Sequence, residues 1–161
     1  MSTQPVPVNS LLDGLPLPSR PTTQADIPYL LDLRHRTMDR HLQAHGLAPS
    51  EEEYLARVTL HLDHARILLC DSGTMGLFKL VASGTSWELV QIQLEPQTQG
   101  QGLGDRLLGW TVGQARLAGA SVALSVFKLN PALRLYQRHG FVLDQESEHT
   151  FEMVYPGLAE S

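Results

Sequence analysis

Gln99-Gly100-Gln101-Gly102-Leu103-Gly104 is the stretch on which the reading of this chain turns. It follows a strand-like run from Trp87 to Leu94 and opens an amphipathic helix whose apolar face comprises Leu103, Leu107, Leu108, Val112 and Ala115. Glycines at alternate positions strip side chains from a strand-to-helix turn, so the backbone can approach a ligand closely and aim unpaired amide N–H groups at it. The positive end of the helix dipole acts in the same direction, and phosphate or pyrophosphate is the usual occupant of such a turn. Two other phosphate loops do not fit. The dinucleotide fingerprint requires glycine where Asp105 or Leu107 stands, and a P-loop requires Gly-Lys-Ser/Thr where Gly109 precedes Trp110. A flexible connector is the bland alternative, but the flanking strand and helix are what a ligand turn requires.

Downstream, Ser121 to Phe127 reads as a buried strand, and a strand–helix–strand crossover makes it a parallel neighbour of the run ending at Leu94. In the next predicted helix Asn130 is an apt N-cap, Pro131 suits the first helical position and Gly140 ends it. Phe141 to Leu143 and Thr150 to Tyr155 then form a closing hairpin. Together, Gln99-x-x-Gly102-x-Gly104 and Asn130…Leu135-Tyr136…Gly140-Phe141 resemble the GNAT superfamily of N-acyltransferases, which use acetyl-CoA. The resemblance runs from Trp87 to Tyr155; the first half of the chain is similar only in layout.

Upstream, Ile27, Leu30, Leu31, Leu33 and Met38 predict a helix from Asp26 to about Gln43, with Asp26 or Thr23 as its cap. Ser50 with Glu53 forms a capping box for a second helix reaching about His64. The pairs His41/His45 and His61/His64 share helix faces, yet solvated or site-lining histidines are the favoured reading over a metal site. Arg66 to Asp71 and Met75 to Ala82 read as a hairpin around Ser72-Gly73, so consecutive strands feed the glycine turn. Cys70 reads as a small core hydrophobe rather than a nucleophile. Residues 1–20 hold Pro5, Pro7, Pro16 and Pro18, which exclude a regular helix, and Leu11, Leu12, Leu15 and Leu17, which suggest docking on the domain or on a second copy in a homodimer.

With 161 residues, 42% of them hydrophobic, the chain fits a single domain over 21–157, a proline-rich extension over 1–20 and a tail over 158–161. A net charge of −5 disfavours nucleic acid as a partner and mildly favours cationic ones such as amines. The lone Cys70 excludes an internal disulfide, no run is long and apolar enough for a membrane, and the first residues lack a signal-peptide pattern, so a cytoplasmic setting is expected.

The resemblance implies an α/β GNAT fold, a mixed central sheet with helices on both faces, and transfer of acetyl from acetyl-CoA to a primary amine without a metal. It assigns the pyrophosphate to the amides of Gln99, Gly100, Gln101, Gly102, Leu103 and Gly104, and an oxyanion-stabilising N–H to Leu94. Asn130 takes a coenzyme contact, Tyr136 the general acid and Glu88 the general base, with a histidine from the first half as the alternative base. Gln99 departs from the arginine common at its position. A CoA-binding regulatory module without turnover and a domain for another nucleotide are the rival readings.

Overall fold

A computed structural model of the chain describes residues 11–157. Seven strands form one sheet in the order β1-β2-β3-β4-β5-β7-β6. They are β1 (Ser19–Pro21), β2 (Ala65–Cys70), β3 (Gly73–Val81), β4 (Ser86–Leu94), β5 (Ser121–Phe127), β6 (Val142–Glu146) and β7 (Thr150–Tyr155). Among the described residues only the β4–β5 pair is parallel, the result of the crossover through α3 (Leu103–Ala118). On one face α3 and α4 (Leu133–Arg138) cover a core that includes Phe78, Leu89, Leu107, Leu108, Val122 and Phe141. On the other, α1 (Ile27–Ala44) and α2 (Glu51–Thr59) seal a smaller cluster of Leu30, Leu33, Val58, Ala65, Ile67 and Leu77. The sheet is therefore mixed and sandwiched by helices, as expected.

Local signals hold where the chemistry is local. Ser50 Oγ accepts from the Glu53 N–H at 3.1 Å while Glu53 Oε1 accepts from the Ser50 N–H at 2.8 Å, so the capping box forms. Other boundaries move. The second helix stops at Thr59, and a 3-10 turn over Leu62–His64 follows His61, which has a φ of 54°. The helix expected from Asn130 begins at Leu133, because Asn130 Oδ1 accepts from the Ala132 N–H at 2.9 Å and closes an Asx turn ahead of it. Leu103 and Val112 are only partly buried, and Thr111 takes the buried position on α3 instead.

The N-terminal leucines dock on the domain itself: Leu12 and Leu17 are buried in the α3-side core, with Leu11 and Leu15 against it. Next to them, β1 pairs with β2 through Ser19↔Leu68 to Pro21↔Arg66, a strand that the prolines concealed. The expected boundary at residue 20 thus falls inside a strand of the sheet; residues 1–10 and 158–161 lie outside the described residues.

Candidate active site

The parallel pairing of β4 and β5 covers only Ser86↔Ser121, Trp87↔Val122 and Glu88↔Ala123, while β5 stays paired with β7 from Val122 to Phe127. Beyond Glu88 the two strands diverge, and the sheet opens into a slot. A register shift in the β3–β4 ladder, where Lys79 faces Gln91 but Leu80 faces Leu89, leaves Val90 as a bulge at the mouth of that slot. The bulge reverses the side-chain phase. Trp87 and Leu89 face the α3 core before it, and Ile92 and Leu94 face it afterwards, so Gln91, Gln93 and Glu95 turn toward α1.

Backbone direction follows from the same ladder. The Glu95 N–H donates to the Met75 carbonyl at 2.8 Å, and donors alternate along an antiparallel strand, so the N–H groups of Ile92 and Leu94 point away from β3 into the slot. Gln99 braces this end: its Nε2 donates to the Leu94 carbonyl at 3.2 Å. Glu95 ties it to α1, accepting from Tyr29 Oη at 2.7 Å and pairing with Arg36, which holds the Glu95 carboxyl below its ordinary range.

Gly100 and Gly102 have φ of 83° and 77°, left-handed values that favour glycine, and Gly102 caps α3. The first backbone bond of that helix runs from the Arg106 N–H to the Gly102 carbonyl at 3.1 Å, which leaves the amides of Leu103, Gly104 and Asp105 pointing out of the helix N-terminus. Gly104 has a different reason to be glycine. It is helical, and a Cβ there would lie 3.1 Å from Leu135 Cδ2, so its bareness lets α4 approach α3.

Two adjoining cavities flank the slot, of about 290 and 250 Å³, and Met38, Ile92, Gln93, Asn130 and Tyr136 line both. The smaller is bounded by Leu94, Gln99, Gly104 and the Asn130–Ala132 turn, and it includes His41, whose pKa is lowered by burial and then by Arg40 and His45. The larger lies under α1 and α2 and is lined by Arg34, Arg57, Gln91, Ser125 and Thr150.

Tyr136 is placed by its motif. The Phe141 N–H donates to the Tyr136 carbonyl at 3.2 Å after Gly140 reverses the chain at φ 92°, and the two rings meet edge to face with centroids 6.0 Å apart. Burial alone pushes the Tyr136 phenol up to about 12. Glu88 is not brought to it: this residue is exposed, sits where β4 and β5 are still hydrogen-bonded, and lines neither cavity. Another carboxylate, which no sequence motif marks, is hydrogen-bonded to the cavity wall. Glu152 on β7 accepts from Ser125 Oγ at 2.9 Å and from Thr150 Oγ1 at 2.8 Å, two residues of the larger cavity's wall. Among the described residues no group of His, Cys, Asp or Glu is arranged to hold a metal, and no helix is long and apolar enough to cross a membrane. Cys70 is partly buried, with Sγ 3.2 Å from Ser72 Oγ.

A model of the acetyltransferase (GNAT) domain matches residues 61–143, more than half of the chain. Among solved structures, the PaiA N-acetyltransferase from Thermoplasma acidophilum in complex with coenzyme A is similar, with 17% identity, a TM-score of 0.67 and coverage of 85% of this chain and 96% of that one. The ribosomal-protein-S18-alanine N-acetyltransferase from Escherichia coli gives 18%, 0.64, 89% and 96%. N-acetylglutamate synthase from Neisseria gonorrhoeae, complexed with coenzyme A and N-acetyl-glutamate, gives 22%, 0.60, 85% and 34%. No curated protein matches in sequence.

Proposed function

The chain belongs to the GNAT acetyltransferase domain family, and from that premise we propose that it moves an acetyl group from acetyl-CoA to a primary amine by direct attack on the thioester. The observation that carries this reading is the slot between β4 and β5, with Tyr136 at the junction of its two cavities. Coenzyme A in two of the similar structures supports the choice of donor.

In this reading the amides of the turn from Gln99 through Gly104 take the pyrophosphate, and Asn130 and Leu94 flank the pantetheine arm in the smaller cavity. The amine nitrogen enters from the larger cavity and attacks the thioester carbonyl carbon. The C–N bond forms, the C–S bond breaks, and the N–H groups of Ile92 and Leu94 stabilise the carbonyl oxygen as it becomes anionic. The Tyr136 hydroxyl donates a hydrogen bond to the departing sulfur. Complete proton transfer from a phenol near 12 to a thiolate of pKa near ~8.5 would be uphill by about 5 kcal/mol, so the tyrosine remains protonated. The amine's proton leaves through the Ser125 hydroxyl toward Glu152, which takes the base role expected of Glu88.

The test is protection of the purified chain by acetyl-CoA, but not by ATP or NAD, in a thermal shift, followed by coenzyme A release with a panel of amines. Protection without release from any amine would leave a binding module, and protection by ATP or NAD instead would overturn the donor.

A further inference from the structure

The roof of the larger cavity carries two guanidinium groups, Arg34 and Arg57, that form no direct ion pair among the described residues. Four arginines among the described residues are partly or fully buried: Arg20, Arg34, Arg57 and Arg66. Arg20 forms an ion pair with Asp26 at 2.8 Å and Arg66 with Asp13 at 2.8 Å. Arg34 and Arg57 pair with no carboxylate among the described residues, and these are the two that line the cavity. Asp39, whose charge acts on Arg34 without a direct ion pair, is engaged by His35 Nδ1 at 3.0 Å and by the Tyr54 hydroxyl. Arg34 instead lies with Cζ 5.9 Å from the Tyr54 ring centroid. Burial first, then the charge of Arg57, lowers the Arg34 pKa to about 10, the mark of two guanidinium groups confined together.

A second feature is independent of charge. Gln91 is 8% exposed, lines the same cavity, and its Nε2 is buried with no hydrogen-bond partner among the described residues. Such an orphan donor costs stability unless a ligand meets it. On the β5–β7 side, Glu152 stands behind Ser125 and Thr150.

We propose that the acceptor is an amino acid or a similarly small amino-carboxylate, its carboxylate held by Arg34 and Arg57 with Gln91 donating to it, and its amine directed toward Tyr136. The guanidinium fork matches a carboxylate, whereas a polyamine would bring further positive charge beside two arginines. The volume of about 290 Å³ suits a molecule of amino-acid size. The proposal rests on the acetyl-transfer reading for its amine and on the arginines for its carboxylate, so the two separate in experiment.

Coenzyme A release is measured with several free L-amino acids, each beside its carboxamide and its decarboxylated amine. Thermal shifts are recorded with the same amino acids alone. The carboxylates are expected to be preferred at least tenfold in kcat/KM, by the weight of charge-assisted hydrogen bonds. Arg34→Met and Arg57→Met are expected to raise the amino-acid KM by about ten to a hundredfold, bringing the carboxylate-to-amine ratio toward one. Gln91→Met raises KM while its melting temperature does not fall, a combination that a structural role would not produce. Equal turnover of amides or amines in the wild type, or an unchanged amino-acid KM in both arginine variants, overturns the proposal. If no acceptor releases coenzyme A, it is the acetyl-transfer reading that fails. The carboxylate site then stands if amino acids still shift the wild type and not Arg34→Met, and falls if they shift neither or both alike.

Discussion

Lys79 Nζ lies 3.1 Å from the carbonyl oxygen of Val58 and also reaches those of Leu60 at 2.5 Å and Arg57 at 3.4 Å. A fully buried ammonium thus closes the last turn of α2, the turn that carries Arg57, onto β3. Burial, then Arg57 and Arg34, push Lys79 down to about 8, whereas an unfolded lysine titrates near ~10.4. Between those values the unfolded chain binds more protons, so stability rises with pH. The urea midpoint is expected to climb between about pH 8 and 9 in the wild type, below the range where the raised pKa values of Tyr29, Tyr54 and Tyr136 oppose it, and to lose that climb in Lys79→Met. A flat wild-type profile would refute this.

Tyr136→Phe is expected to lower kcat by about ten to a thousandfold with little change in acetyl-CoA affinity, because in the proposed reaction it removes only a hydrogen bond to the leaving sulfur. With the phenol near 12, no alkaline limb between pH 7 and 10 should depend on Tyr136. Steady-state profiles of the two proteins check both statements, and undiminished turnover removes the assignment.

Glu152→Gln and Glu88→Gln separate the two candidate bases. Loss of the Glu152 carboxylate is expected to reduce kcat by about a hundredfold, while Glu88→Gln, at an exposed site outside both cavities, leaves it unchanged. The reverse pattern would return the role to β4.

Gly104→Ala presses a Cβ against Leu135 Cδ2, 3.1 Å away, and the overpacking cost at the α3–α4 contact is expected to offset the gain of up to about 1 kcal/mol that alanine otherwise brings to a helix. Adding Leu135→Ala should recover part of that cost, a non-additivity that a double-mutant cycle in urea detects. Independent, additive effects would show that the contact is not what requires glycine there.

Asp26 accepts from Arg20 at 2.8 and 2.9 Å and from the Thr23 N–H at 2.8 Å, and Arg20 foremost holds its carboxyl below the ordinary value of 3.8. The folded pKa is the lower one, so this stabilisation is present above about pH 4 and is lost as pH falls through the folded value. Asp26→Asn is expected to lose about 1 to 2 kcal/mol at pH 7 and to show a shallower acid denaturation. Parallel acid curves for the two proteins would exclude it.

What could be read from the letters was whatever a short run of neighbours decides. The Ser50–Glu53 capping box, the left-handed glycines of the turn, the bounds of β5 and the Tyr136…Gly140-Phe141 placement are set within a few residues, because caps, φ preferences and side-chain periodicity are local. The acceptor side was not legible, since its residues meet only across the sheet. Arg34 and Arg57 come from different helices, and Glu152 reaches the site through Ser125 on another strand. Glu88 and Gln91 exchange significance because the bulge at Val90 exists only when β4 is paired with β3, and a one-residue slip in that ladder turns every later side chain to the opposite face. Sequence alone therefore determined the glycine turn at the head of α3 and the placement of Tyr136. The tertiary structure decided which charges surround the larger cavity, because strand register and helix packing, not neighbours in the chain, bring those charges together.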